Sequence, residues 1–215
     1  GLGFSRAFFE TRQSRARLLA ELGKPILTGE ASPYYLYHPL APQRVAQQLG
    51  RPRCIALLRE PIARAWSHFQ HAKRYRWESR LFREAVAAQL RDPERLEREL
   101  LADPTRDHTA HQLLSYVHRG QYAEQLERWF AAVGRDNVLV LNAERFYRDT
   151  DAQVARVLDF LGLPPAKLAL PKPSNAGGYK SDMRDDVRQK LLEYYAPHNE
   201  RLFELLGERY DWPAL

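Results

Sequence analysis

Two stretches of this chain carry residues suited to holding a phosphate. In the segment 55–69, IALLREPIARAWSHF, Arg59 follows an apolar run and Ser67 lies six residues beyond Pro61, about one and two-thirds helical turns on. A guanidinium engages phosphate oxygens in pairs through its planar fork, and a hydroxyl flanks the same anion from a second side. In the segment 171–181, PKPSNAGGYKS, two prolines, an Asn and the adjacent Gly177 and Gly178 make a loop. Glycines let backbone N–H groups approach a phosphate closely, and Tyr179 and Lys180 follow directly. Both stretches also have a plain structural reading, the first as a surface turn with a cap and the second as an interhelical loop.

These residues need elements to position them. Ile55, Ala56, Leu57 and Leu58 read as a buried parallel strand, and Pro61 suits the first turn of a helix. Arg59 then leaves the carboxyl end of the strand, where open α/β sheets take ligands and where free helix N–H groups attract anions. Residues 26–28 and 137–141 read as further strands. Helical patterns cover 42–49, 61–76, 81–90, 121–132, 151–161 and 184–206. Alternation of this kind predicts an α/β fold with a parallel sheet flanked by helices. We expect a single domain over 1–215, in which the charged insertion 91–119 is a mobile helical cover.

With 44% hydrophobic residues the chain suits a globular domain, and no apolar run approaches the length of a membrane span. One cysteine, Cys54, rules out an internal disulfide framework and reads as a small core thiol. The expected location is the cytoplasm, or the Golgi lumen if an anchor lies upstream of Gly1. A net charge of +6 fits an anionic ligand, nucleic acid included, but bases alternate with acids in 91–107 as on a solvated helix. The densest basic cluster is Lys73, Arg74 and Arg76, interleaved with Tyr75 and Trp77. It reads as a grip for a polyanionic glycan or as a plain basic helix terminus. His68 and His71 lack the carboxylate or thiol partners of a metal site.

The 55–69 segment resembles the 3′-phosphate-binding motif of sulfotransferases that use 3′-phosphoadenosine 5′-phosphosulfate (PAPS). GEASPYYL (29–36), GQYAEQLERWFAAVGRDNVLVL (120–141), LDFLGL (158–163) and YYAPHNERLFELLGERYDW (194–212) resemble, in order, blocks of the heparan sulfate sulfotransferase-like and bacterial branch. Residues Gly1–Phe9 resemble the stretch just after that family's Lys-Glu-x-x-Phe-Phe segment.

The resemblance implies a P-loop-NTPase-like α/β fold without its first strand and phosphate loop, which we expect upstream in a longer protein. It implies transfer of a sulfuryl group from PAPS to a glycan or small-molecule acceptor, leaving adenosine 3′,5′-bisphosphate (PAP), with no metal and no nucleic-acid partner. A noncatalytic PAP- or PAPS-binding or interaction domain is the first alternative, and a basic nucleic-acid-binding protein the second. By the same resemblance Arg59 and Ser67 hold the 3′-phosphate, Gly177, Gly178, Tyr179 and Lys180 close over the nucleotide, and 91–119 shapes the acceptor cleft. Glu30 and His71 stand in for the family's catalytic Glu.

Overall fold

The computed structural model describes residues 12–23, 26–167 and 183–214. The chain divides into two compact units, 1–33 and 34–215. The described part of the first is a helix, α1 (Arg12–Leu22), followed by an irregular stretch that includes 26–30. The strand expected at 26–28 is not formed. A strand is defined by its hydrogen-bonded neighbour, and the propensity of three residues does not supply one.

The second unit holds α2 (Ala41–Leu49), β1 (Cys54–Leu58), α3 (Pro61–Arg74), α4 (Phe82–Arg91), α5 (Arg95–Ala102) and α6 (Thr109–Leu114). After them come α7 (Tyr122–Val133), β2 (Val138–Asn142), α8 (Ala143–Arg148), α9 (Thr150–Leu161) and α10 (Asp185–Leu206). β1 and β2 pair in parallel with Cys54 opposite Val138 and Leu58 opposite Asn142. The crossover between them contains every helix from α3 to α7.

Two hydrophobic cores organise the unit. The first packs Ala56 and Leu58 of β1 and Val138 and Val140 of β2 against Leu126 and Trp129 of α7, with Leu202 and Phe203 of α10. The second packs Ile62, Ala65 and Phe69 of α3 against Phe82, Val86 and Tyr116, with Leu191 and Tyr195 of α10. Helix α10 therefore contributes to both. Its apolar positions 187, 191, 195, 202 and 203 recur at helical spacing around a polar outer face.

β1 is buried on one face only. Ala56 and Leu58 point into the core, whereas Ile55 and Leu57 are 45% and 44% exposed. A two-sided strand was expected because all four residues are apolar, but among the described residues the helices cover one side. Within residues 91–119, Glu97, Leu100, His111 and Ser115–His118 are buried, while the rest of the segment is exposed or half-buried. Cys54 is half-buried, and burial pushes its thiol upward.

Candidate functional site

The junction between β1 and α3 is held rigidly. The peptide that joins Arg59 to Glu60 is fixed at both ends: its carbonyl accepts a hydrogen bond from Tyr122 Oη (2.7 Å), and its N–H donates to Glu144 Oε1 (2.9 Å). Glu144 in turn accepts from Asn142 Nδ2 and Trp212 Nε1, both at 3.0 Å. Asn142 also caps α8 by accepting from the Arg145 N–H. Three segments thus converge on the one peptide that follows Arg59, whose own side chain is exposed.

Glu60 changes the expected electrostatics of this junction. Its carboxylate accepts from the N–H groups of Ile62 (2.8 Å) and Ala63 (2.5 Å), and Pro61 has no N–H to offer. The first turn of α3 is therefore satisfied by its own cap, not left free for an incoming anion. Burial pushes the Glu60 carboxyl above the usual carboxylate range. Any anion held here depends on side chains.

Ser67 lies half-buried on α3, and His71, one turn further on, is exposed with its ring against Tyr75 (4.6 Å) and Trp77 (5.6 Å). His68, by contrast, is drawn into the interior, edge-on to Tyr116 at 4.9 Å. Glu30 is exposed and belongs to the first unit. Gly177, Gly178, Tyr179 and Lys180 lie outside the described residues.

Behind α3 sits a cluster that sequence reading missed. The Arg64 guanidinium donates to the Tyr116 carbonyl, and Tyr195 Oη donates to the Val117 carbonyl at 2.7 Å. Arg119 lies over the rings of Tyr34 and Tyr37, 5.8 and 5.5 Å from their centroids, and donates to Gln112 O. Burial and the like charge of Arg64 lower Arg119 to about 10, which leaves it cationic at neutral pH. Tyr37 stacks on His111 at 4.3 Å, and its hydroxyl lies 3.1 Å from His118 Nδ1.

Burial drives three of these rings well below the ordinary histidine range: His68 and His111 to about 3 and His118 to about 4. The unfolded chain takes up protons on them as pH drops below about 6.5, whereas the folded chain does not. Stability is therefore complete above pH 6.5 and falls steadily toward pH 4, with a slope approaching about 1.4 kcal/mol per pH unit for each ring. Glu60, shifted upward, opposes this trend. Urea denaturation at pH 7.5, 6.0 and 5.0 is expected to give steadily lower midpoints; a midpoint constant over this range would contradict neutral buried rings.

A cavity of about 440 Å³ lies between α9 and residues 163–167, lined by Asp151, Val154, Leu158 and Lys167 among others. Another of about 210 Å³ is lined by Tyr34, His38, Leu100, Arg106, His108 and Gln112 among others. Neither is lined by Arg59 or Ser67.

A family profile described as the sulfotransferase domain matches residues 32–199 and so includes Arg59, Ser67, Tyr122 and Glu144. The chain belongs to the sulfotransferase domain family. Relatives of this sulfotransferase-family chain include the mouse heparan sulfate glucosamine 3-O-sulfotransferase 3B1, 24% identical over 97% of this chain and 56% of that protein. The bifunctional heparan sulfate N-deacetylase/N-sulfotransferase 1 of Xenopus tropicalis is 28% identical over 82% of this chain and 22% of that protein. The chain spans about half the length, or less, of the curated relatives it matches. The crystal structure of a sulfotransferase from Alicyclobacillus acidocaldarius superposes with a TM-score of 0.68 at 26% identity, covering 97% of this chain and 76% of that one. Together with the parallel β1–β2 pair, it establishes the α/β sulfotransferase fold expected from the sequence. Among the described residues no helix is long and apolar enough to cross a membrane.

Proposed function

We propose that the protein containing this sulfotransferase-family chain moves a sulfuryl group from PAPS to a hydroxyl or amine of a carbohydrate-like or small-molecule acceptor, and that Arg59 and Ser67 hold the 3′-phosphate of the nucleotide. One observation carries this reading: an exposed arginine stands at the carboxyl end of a parallel strand on a peptide fixed by Tyr122 and Glu144. Such fixation suits a positioned ligand contact, because a backbone already held in place loses less freedom on binding. The names of the relatives, which refer to heparan sulfate, favour a glycan acceptor.

In this reading the Arg59 guanidinium and Ser67 hydroxyl set the nucleotide along α3. The bond from sulfur to the bridging phosphate oxygen breaks as the acceptor oxygen or nitrogen bonds to sulfur, and PAP leaves. The acceptor's proton passes to a base. His71, exposed one turn beyond Ser67, and Glu30 are the two residues advanced for that base. Gly177, Gly178, Tyr179 and Lys180 would close over the nucleotide.

The discriminating measurement is calorimetric titration of the full-length protein with PAP and, separately, with adenosine 5′-monophosphate. The 3′-phosphate is expected to tighten binding at least tenfold, about 1.4 kcal/mol. Equal affinities would remove the 3′-phosphate site from consideration.

A further inference from the structure

We propose that the stacked pair Tyr75–Trp77 at the end of α3, flanked by Arg74 and Arg76, is a platform for an anionic saccharide whose rings carry carboxylate or sulfate groups. The proposal rests on the reading of the chain as part of a sulfotransferase and specifies its acceptor.

The two rings lie 5.0 Å apart at an interplanar angle of 20°, yet Tyr75 is 52% and Trp77 43% exposed. Adjacent large aromatic surfaces left in water mark interaction sites more often than chance. A flat aromatic face, negative at its centre, suits the weakly positive C–H face of a pyranose ring. The cations beside it supply the complementary charge. Arg74 stands 5.9 Å from the Tyr75 ring centroid, and neither Arg74 nor Arg76 pairs with a carboxylate among the described residues. Lys73 differs, because its ammonium is taken up by the carbonyls of Ser79 and Arg80.

The backbone supports the same assignment. Helix α3 ends with the Arg76 N–H on Lys73 O (3.0 Å) and the Trp77 N–H on Ala72 O (2.9 Å), the paired bonds of a Schellman turn. The turn requires a left-handed residue, and glycine is the usual occupant. Here the residue is Arg76, with φ +61°, a conformation that costs an L side chain energy. Packing of Trp77 on His71 accounts for the apolar contact that accompanies such turns, but not for an arginine in the left-handed position. A cation placed there for a ligand does account for it.

Location completes the case. Ser67, His71 and Tyr75 follow one another at four-residue spacing and share a face of α3, so the platform begins about 12 Å along the helix from Ser67. A chain of sugars lying on Tyr75 and Trp77 would extend along that face toward His71.

The test uses the full-length protein saturated with PAP and a size-defined, heparin-derived sulfated tetrasaccharide as the probe, followed by calorimetry. Tyr75→Ala and Trp77→Ala are each expected to weaken saccharide binding about tenfold, equivalent to about 1.4 kcal/mol. Arg76→Gly is expected to weaken it comparably while raising Tm by about 2–4 °C, since glycine accepts the turn without strain. That opposite pair of effects separates a binding role from a structural one. Unchanged saccharide affinity in Trp77→Ala and Arg76→Gly would overturn the platform. So would tighter binding, at this patch, of a single-stranded oligonucleotide of equal charge. PAP affinity is expected to be the same in all these variants. Saccharide binding that is lost in the variants, in a protein that fails to bind PAP, would support the platform and remove the nucleotide reading alone.

Discussion

Arg59→Ala is expected to lower PAP affinity about a hundredfold while leaving Tm unchanged. The side chain is exposed, and the contact that ties the residue to Tyr122 runs through its carbonyl, which alanine retains. The loss is that of paired charge-assisted hydrogen bonds to a phosphate, about 2.7 kcal/mol. Tyr122→Phe is the informative companion. It frees the Arg59 carbonyl without touching a ligand, so it is expected to cost about tenfold in affinity through looser positioning. Calorimetry on both, with thermal melts as the folding control, distinguishes contact from positioning. A hundredfold loss in Tyr122→Phe but none in Arg59→Ala would reverse the assignment.

The largest expected loss of stability is at Gly120. A Cβ there would stand 2.7 Å from the Tyr195 hydroxyl oxygen and 2.8 Å from two carbons of its ring. Tyr195 is 1% exposed and donates to the Val117 carbonyl, so the ring has no free direction in which to retreat. Gly120→Ala is expected to cost about 3 kcal/mol, lowering Tm by about 6–12 °C. Gly29→Ala, where an added methyl meets nothing within 4 Å, serves as the control and is expected to stay within about 0.5 kcal/mol. Equal melting temperatures for the two variants would show that the Tyr195 packing is softer than described.

The parts of this molecule that were legible in the sequence are those set by local chemistry. Leu58-Arg59-Glu60-Pro61 announced the end of a strand and the start of a helix, and both lie where expected. The second strand appeared one residue later than read, at Val138–Asn142. Gly162, with φ +69°, ends α9 where LDFLGL indicated a helix terminus.

What escaped was set across long separations. Tyr122 meets Arg59 across 63 residues, and Glu144 meets Glu60 across 84. No periodicity reveals such pairs. The Glu60 cap matches the plainer of the two readings of that segment, a turn with a cap, although Ser, Thr, Asp and Asn are the usual helix caps. The one-sided burial of β1 was invisible because Ile55 and Leu57 are as apolar as the residues that do face the core.

Helix α10 gives the molecule an order of assembly. Its first half completes the core around α3 and its second half, with Tyr210 and Trp212 beyond it, the core around the strands, so the first is not closed until residues near 195 are available and the second until residues near 212 are. During synthesis, β1 and α3 leave the ribosome well before the helix that covers them. The growing chain must then keep Leu58, Ile62 and Phe69 from other partners over more than a hundred residues of elongation, a period in which chaperones are most useful.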